Sequence, residues 1–216
     1  MKIIGILGSG EVGQTLAEGF LKYGYKVCIG TGHPEKLNEW RSQHGENLTV
    51  SSFAEAAKFG EILVLSVRGD AALLVLDMAD SRDLEGKTII DTTNPIEAAP
   101  PDHGVLRFFT AINQSLMEAL QKAHPNVHFV KAYNSVGASL MINPDFGGVK
   151  PTMFICGNSS EAKAEVTEIN TLFGYDTEDM GSVEAARAIE PLCLLWCIPG
   201  FLRDEWGGHA FKLLRK

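Results

Sequence analysis

The sequence predicts an α/β fold: a doubly wound, mostly parallel sheet with helices on both faces, in three αβα layers. Three observations carry this. Strand-like and helix-like segments alternate along the 216 residues with short connections. The run EILVLSV (61–67) is apolar almost throughout, as a central parallel strand covered on both faces must be. The N-terminal run IIGIL stops at Gly8-Ser9-Gly10-Glu11-Val12-Gly13, and a helical pattern follows at once. A G-x-G-x-x-G turn placed between a strand and a helix is the context that a dinucleotide fingerprint requires. Gly8 makes the tight turn, Gly10 admits a pyrophosphate to the backbone, and Gly13 lets the helix approach the strand. The helix N-terminus then offers amides and the positive end of its dipole to phosphate.

The remaining elements follow in order. KVCIG (26–30) is a second strand, and PEKLNEWRSQHG begins a helix with Pro34 where a first turn tolerates proline. LTV (48–50) is a short third strand, after which Ser51 and Ser52 can cap a helix through AEAAKF. Strand 61–67, helix DAALLVLDMA and strand TIIDTTNP (88–95) continue the alternation. PIEAAPPDHGVLRFFTAINQ, with three prolines and a glycine, reads as a long loop, and long loops in compact domains are often lids or binding loops. Helix SLMEALQKA, strand HFVKAY (128–133), strand TMFICG (152–157) and the serine-capped helix SSEAKAEVTEINTLFG resume the pattern. A short strand TEDMG and a helix SVEAARAIEPLCLLW, interrupted near Pro191, come last. The organisation is a single domain over 1–216, with a dinucleotide-binding core (1–132) and a C-terminal extension (133–216).

Composition narrows the class. Hydrophobic residues make up 45% and charged residues 21%, an ordinary globular balance. A net charge of −8 argues against non-specific nucleic-acid or anionic-membrane partners, which reward basic surfaces. Cys28, Cys156, Cys193 and Cys197 lack disulfide-framework density and zinc spacing and read as buried thiols. His124 and His128 are four apart, but Pro125 breaks the helix that would pair them and no third ligand joins, so no metal is expected. MKIIGILGSG lacks the features of a secretory signal, and PLCLLWCIPGFL falls short of the ~20 residues of a membrane span. The expectation is a cytoplasmic protein without membrane contact.

The second strand end discriminates between dinucleotides. NAD sites of this type carry an Asp or Glu about 20 residues beyond the glycines. Here the stretch is Ile29-Gly30-Thr31-Gly32-His33-Pro34-Glu35-Lys36, and no carboxylate ends the strand. The Thr31 hydroxyl, the amides of Thr31, Gly32 and His33, and Lys36 one turn on can receive a 2′-phosphate. This favours NADP; the alternative is that Thr31 only caps the helix and either cofactor binds.

With GSGEVG, IGTGHPEKL, SVRGD, DTTNPIE, KAYNSVGA, GNSSEAK and DMGSVEAARAIE together, the chain resembles the coenzyme F420-dependent NADP oxidoreductases from its first strand to about Trp196. It is also similar to the cytoplasmic reductase domain of the six-transmembrane metalloreductases. The resemblance implies a Rossmann-type domain with extra C-terminal strands and helix, commonly homodimeric, that binds NADPH and exchanges hydride with a flavin or deazaflavin. By position, it makes Ser9, Glu11 and Val12 neighbours of the pyrophosphate and nicotinamide end, and Thr31 the hydroxyl on the 2′-phosphate. The family places Arg directly after that residue; this chain has Gly32, and His33 or Lys36 can compensate. Ser66, Val67 and Arg68 fall where the family contacts the middle of the cofactor. Asn94 and Pro95 match its Asn-Pro near the nicotinamide, and Ala132, Tyr133 and Asn134 a segment beside the carboxamide.

Hydride transfer between stacked rings needs alignment and exclusion of water more than a proton donor, so no catalytic acid or base is assigned. The second substrate, expected to be a flavin, coenzyme F420 or a small carbonyl compound, would lie between the 95–112 loop and the segment after Asn134, with His103, Phe108 and Phe109 as part of its wall. In the metalloreductases a membrane domain follows the segment resembling 182–196; the expectation here is an acceptor that is soluble or supplied by another protein. Leu192, Leu194, Leu195, Trp196, Ile198 and Phe201 exceed what one helix face usually buries, which predicts a homodimer interface. The expected function is an NADP(H)-dependent oxidoreductase; the alternative is a non-catalytic NADP(H)-binding regulator.

Overall fold

The computed structural model describes residues 2–216. Its main sheet has six strands, β1 (Ile3–Leu7), β2 (Lys26–Gly30), β3 (Leu48–Ser51), β4 (Ile62–Leu65), β5 (Thr88–Asp91) and β6 (His128–Lys131), in spatial order β3-β2-β1-β4-β5-β6. Every neighbouring pair is parallel. The order reverses beside β1, where doubly wound sheets open a crevice for ligands at the C-terminal strand ends. A separate parallel pair, β7 (Thr152–Ile155) and β8 (Asp176–Asp179), joins the β6 edge through an antiparallel bridge between Lys131 and Cys156. These are the extra C-terminal strands.

Both faces of the sheet are covered, which makes the three layers. On one side Leu16 and Phe20 of α1 (Glu11–Lys22) pack with Val166, Ile169 and Phe173 from α7 (Ser160–Leu172) and the residue after it. On the other, α3 (Phe53–Phe59), α4 (Ala72–Asp77) and α6 (Leu116–Ala123) bring Ala56, Leu76 and Leu120 onto Leu63 and Ile89. Each buried large side chain contributes roughly 1.5–3 kcal/mol. Ser52 and Ser115 start α3 and α6 with reciprocal capping boxes to Glu55 and Glu118. Asn38–Ser42 (α2) and Ser81–Leu84 (α5) are short surface turns, and α2 follows a 3-10 turn at Pro34–Leu37.

The strands end before the apolar runs do. β5 stops at Asp91 and β6 at Lys131, because the next residues turn away to build the sheet's C-terminal edge. Tyr133 takes a left-handed φ of 58°, uncommon for a bulky residue. The segment 95–109 is also more ordered than an irregular loop. Ile96 bridges Phe108 and Asp102 bridges Val105 in antiparallel fashion, around a two-residue turn at His103 and Gly104. Both turn residues have positive φ, as the mirror-image hairpin turns require.

The C-terminal helix divides into α8 (Ala186–Ile189) and α9 (Leu192–Arg203). The helical run Val183–Arg203 spans 21 residues and is long and apolar enough to cross a membrane by length and composition, longer than the stretch 191–202 considered from sequence. Trp196, expected in a dimer interface, is buried within its own chain. It stacks on His209 with ring centroids 4.9 Å apart, and its indole N–H donates to the His209 carbonyl. The tail returns beside β7, where Thr152 N–H donates to the Phe211 carbonyl at 2.8 Å.

The Tyr133 hydroxyl is buried with no hydrogen-bond partner among the described residues, and leaving such a group unmade costs about 1–3 kcal/mol. Tyr133→Phe keeps the packing against Phe173 and Tyr175. It is expected to raise unfolding stability by about 1 kcal/mol in urea denaturation; a loss of stability would show that the hydroxyl is satisfied.

Candidate active site

The glycine turn is set by two steric constraints and one opening. Gly8 has φ 136°, and a Cβ there would sit 2.3 Å from the Ser66 carbonyl oxygen. A Cβ on Gly13 would sit 2.2 Å from the Gly8 carbonyl oxygen, so α1 can approach β1 only without a side chain. Gly10 is different: a Cβ there would meet nothing within 4 Å. It is the N-cap of α1 and provides no side-chain cap. The first-turn amides, including those of Glu11 and Val12, have no intrahelical acceptor, and Gly10 beside them leaves open space. This is the cradle that a pyrophosphate needs, and the residues present fit it.

Beside this turn, Ser9 Oγ donates to Thr31 Oγ1 at 2.9 Å, and the His33 amide donates to the same oxygen at 3.2 Å. Thr31 is 6% exposed, and with two donors already on its oxygen its own proton remains available to donate. Gly32 has nothing within 4 Å of its would-be Cβ, so a bulky group fits there. His33 lies 3.4 Å from Glu35, whereas Lys36 is exposed and has no ion-pair partner among the described residues. The strand end thus presents one hydroxyl proton and one free ammonium around a space, without a carboxylate at the strand end itself.

A cleft of about 380 Å³ opens next to Val12. Its walls are Ser66 to Gly69 after β4, Thr92 to Asn94 after β5, and Ile96 to Ala99 on the first arm of the hairpin. Gly69 allows the two turns to meet, since a Cβ there would lie 2.1 Å from the Asn94 carbonyl oxygen. Arg68 makes a two-pronged ion pair with Asp70, at 2.7 and 3.2 Å, so its charge is largely spent within its own turn. Asn94 and Asn134 clamp each other. Asn94 Nδ2 donates to the Asn134 carbonyl at 2.7 Å, and Asn134 Nδ2 donates to Asn94 Oδ1 and the Ile189 carbonyl, both at 3.1 Å. Asn134 Oδ1 is buried and accepts nothing among the described residues, an orphan that a carboxamide N–H would satisfy.

The structure brings Val12, Ser66, Val67, Arg68 and Asn94 to one cleft, holds Asn134 buried against Asn94 outside the cleft lining, and places two further expected residues elsewhere. Pro95 is buried and its carbonyl accepts the Phe109 amide, so it anchors the hairpin instead of lining the cleft. The Ala132 side chain is buried in the core and its amide donates to the Asp91 carbonyl. The aromatic wall also differs. Phe108 packs with Cys193, Trp196 and Cys197 of α9, His103 is at the exposed hairpin tip, and Phe109 is on the surface. The hairpin places its small first arm, not its aromatic second arm, against the cleft.

Sequence reasoning missed the groups behind the cleft floor. Lys131 Nζ lies 2.7 Å from Asp91 Oδ2, 3.1 Å from Glu190 Oε1 and 2.8 Å from the Thr93 carbonyl oxygen, and all three charged side chains are buried. The two carboxylates hold the Lys131 ammonium more basic than a free lysine, outweighing the burial that works the other way. Asp91 Oδ1 accepts the Thr93 amide and hydroxyl, and Glu190 accepts the first two amides of α6, Leu116 and Met117. The signal was a lysine within the apolar run HFVKAY, since lysine is almost never fully buried unless paired.

A family model described as NADP oxidoreductase, coenzyme F420-dependent, matches residues 3–95. A putative F420-dependent NADP-reductase from Arthrobacter sp. FB24 superposes with a TM-score of 0.90 at 30% identity, with both chains covered completely. The rat metalloreductase STEAP3 is 31% identical over 204 residues, which are 92% of this chain and 38% of that protein. The human metalloreductase STEAP2 is 26% identical, over 88% of this chain and 36% of its own length. The chain therefore spans little more than a third of these curated relatives. An Aspergillus terreus imine reductase shares the fold at 16% identity and a TM-score of 0.68, covering 94% of this chain and 63% of its own.

The two glycine roles separate experimentally. Gly13→Ala is expected to lower stability by about 1–3 kcal/mol through forced displacement of α1. Gly10→Ala, at φ −73° with open space around it, should change stability by less than about 0.5 kcal/mol. Equal losses in urea denaturation would contradict the steric assignment.

Proposed function

The chain belongs to the coenzyme F420-dependent NADP oxidoreductase family, and from that premise we propose that it binds NADP(H) along the C-terminal edge of the main sheet and exchanges hydride with a second substrate in the Thr92–Asn94 cleft. The observation that carries this is the continuity of the open Gly10 cradle with that cleft through Val12. When bound, NADPH supplies the hydride. In this reading the α1 amides take the pyrophosphate, while Thr31 and Lys36 take the 2′-phosphate, Thr31 as a proton donor and Lys36 as a charge. Asn134 Oδ1 accepts from the carboxamide, which fixes one face of the ring. The hairpin arm Ile96–Ala99 excludes water from that face. Alignment and dryness are what the transfer requires of the protein, and no proton donor is assigned. The acceptor is a flavin, a deazaflavin such as coenzyme F420, or a small carbonyl compound.

Four free, buried cysteines support a reducing, cytoplasmic setting. Leu195, Phe201 and Leu202 are left exposed on and near the end of α9, and they support a homodimer through this face. Sedimentation at micromolar concentration is expected to show a dimer that Leu195→Glu dissociates; a monomeric wild type would end that part of the proposal.

Thr31→Ala is expected to weaken NADPH binding about tenfold, as loss of a charge-assisted hydrogen bond does, and to leave NADH binding unchanged. Titration of both cofactors checks this, and equal losses would count against the phosphate assignment. Loss of the NADPH absorbance band is expected with at least one of FMN, FAD, coenzyme F420, ferric chelates and small carbonyl compounds. Tight NADPH binding without turnover of any would favour the regulator.

A further inference from the structure

Asp91, Lys131 and Glu190 form a buried triad whose charges do not cancel. Each of the four carboxylate oxygens lies beside a donor: Lys131 Nζ, the Thr93 amide and hydroxyl, or the Leu116 and Met117 amides. Backbone amides and an ammonium are the donor set that two carboxylates take. Lys131 donates to the Thr93 carbonyl and lies within ion-pair distance of both carboxylates, as a cation does. One positive and two negative charges leave a net charge of −1 in a site without solvent. The α6 amides draw on part of the excess through the helix dipole but carry only about half a charge. The triad holds the backbone of Thr93 from behind, at the Thr93 amide and carbonyl, and Thr93 is part of the cleft floor.

We propose that the excess negative charge of this triad tunes the bound cofactor, stabilising the oxidised nicotinamide over the reduced one and so making bound NADPH a stronger hydride donor. The inference rests on the reading that the nicotinamide occupies the Thr92–Asn94 cleft. Loss of a hydride from C4, with its bonding pair going to the acceptor, leaves the ring with one more positive charge. A fixed negative charge behind the cleft floor interacts with that change and hardly at all with the neutral ring. A role confined to architecture would weaken both cofactor forms together, whereas a charge effect moves their ratio.

The test is the ratio of dissociation constants for NADP+ and NADPH, measured by calorimetric titration of the whole chain. Glu190→Gln removes one negative charge with little change of shape, and the ratio of the NADP+ constant to the NADPH constant is expected to rise about fivefold. Glu190→Asp, which keeps the charge, is expected to leave the ratio at the wild-type value even if both affinities fall. Asp91→Asn makes the same unit change from the other side of the lysine and is the variant used if Glu190→Gln does not fold. A constant ratio in the charge-removing variants, with both forms still binding, would overturn the tuning role and leave the site reading intact. Failure of the wild type to bind either form would overturn the site reading and this inference with it.

Discussion

The ammonium of Lys131 is the interaction on which the C-terminal edge of the sheet depends. Burying an isolated charge is prohibitive, and this one is tolerated because two carboxylates stand within ion-pair distance, Asp91 from β5 and Glu190 from the α8–α9 junction, and the Thr93 carbonyl of the cleft floor accepts one of its protons. The carboxylates are satisfied in turn by the Thr93 backbone and the start of α6. Four segments distant in sequence, at Asp91–Thr93, Leu116–Met117, Lys131 and Glu190, thereby share one set of ion pairs and hydrogen bonds. Breaking such a set by removing one partner typically costs about 3–5 kcal/mol, because the others remain buried and unpaired.

The site inherits its geometry from this arrangement. Glu190 follows Ile189, whose carbonyl holds Asn134, and Asn134 holds Asn94, so both sides of the asparagine clamp trace back to the triad. The hairpin is set from outside, by packing of Ile96, Leu106 and Phe108 on the buried face of α9. The glycine turn is fixed differently, by close approach of backbone to backbone at Gly8 and Gly13, with Gly10 left open. Electrostatics thus shapes the nicotinamide end of the proposed site, and steric exclusion shapes the phosphate end.

Much of this was legible in the sequence, and the reason is locality. The strand-turn-helix glycine pattern, the Thr31 segment without a carboxylate and the alternation of elements are properties of short windows, as are the capping boxes of α3 and α6. So is the hairpin turn at His103-Gly104, although three prolines nearby led to an irregular loop being expected. Pro95 and Ala132 were placed on the cofactor from neighbouring motif residues, but a motif does not say which of its members turn inward to hold the fold.

By itself, then, the sequence determined the doubly wound α/β architecture, the strand-turn-helix glycine motif and the absence of a carboxylate at the end of β2, because each follows from spacing within a few turns of chain. Only the tertiary structure decided that Asp91, Lys131 and Glu190 meet, that Asn94 and Asn134 lock together, and that Trp196 turns into its own chain. Those pairings join residues 40 to 99 positions apart in the first two cases, and their partners are chosen by which strand ends and helix starts the packed core brings together. A lysine in an apolar strand announces that a partner is needed; packing alone supplies its identity.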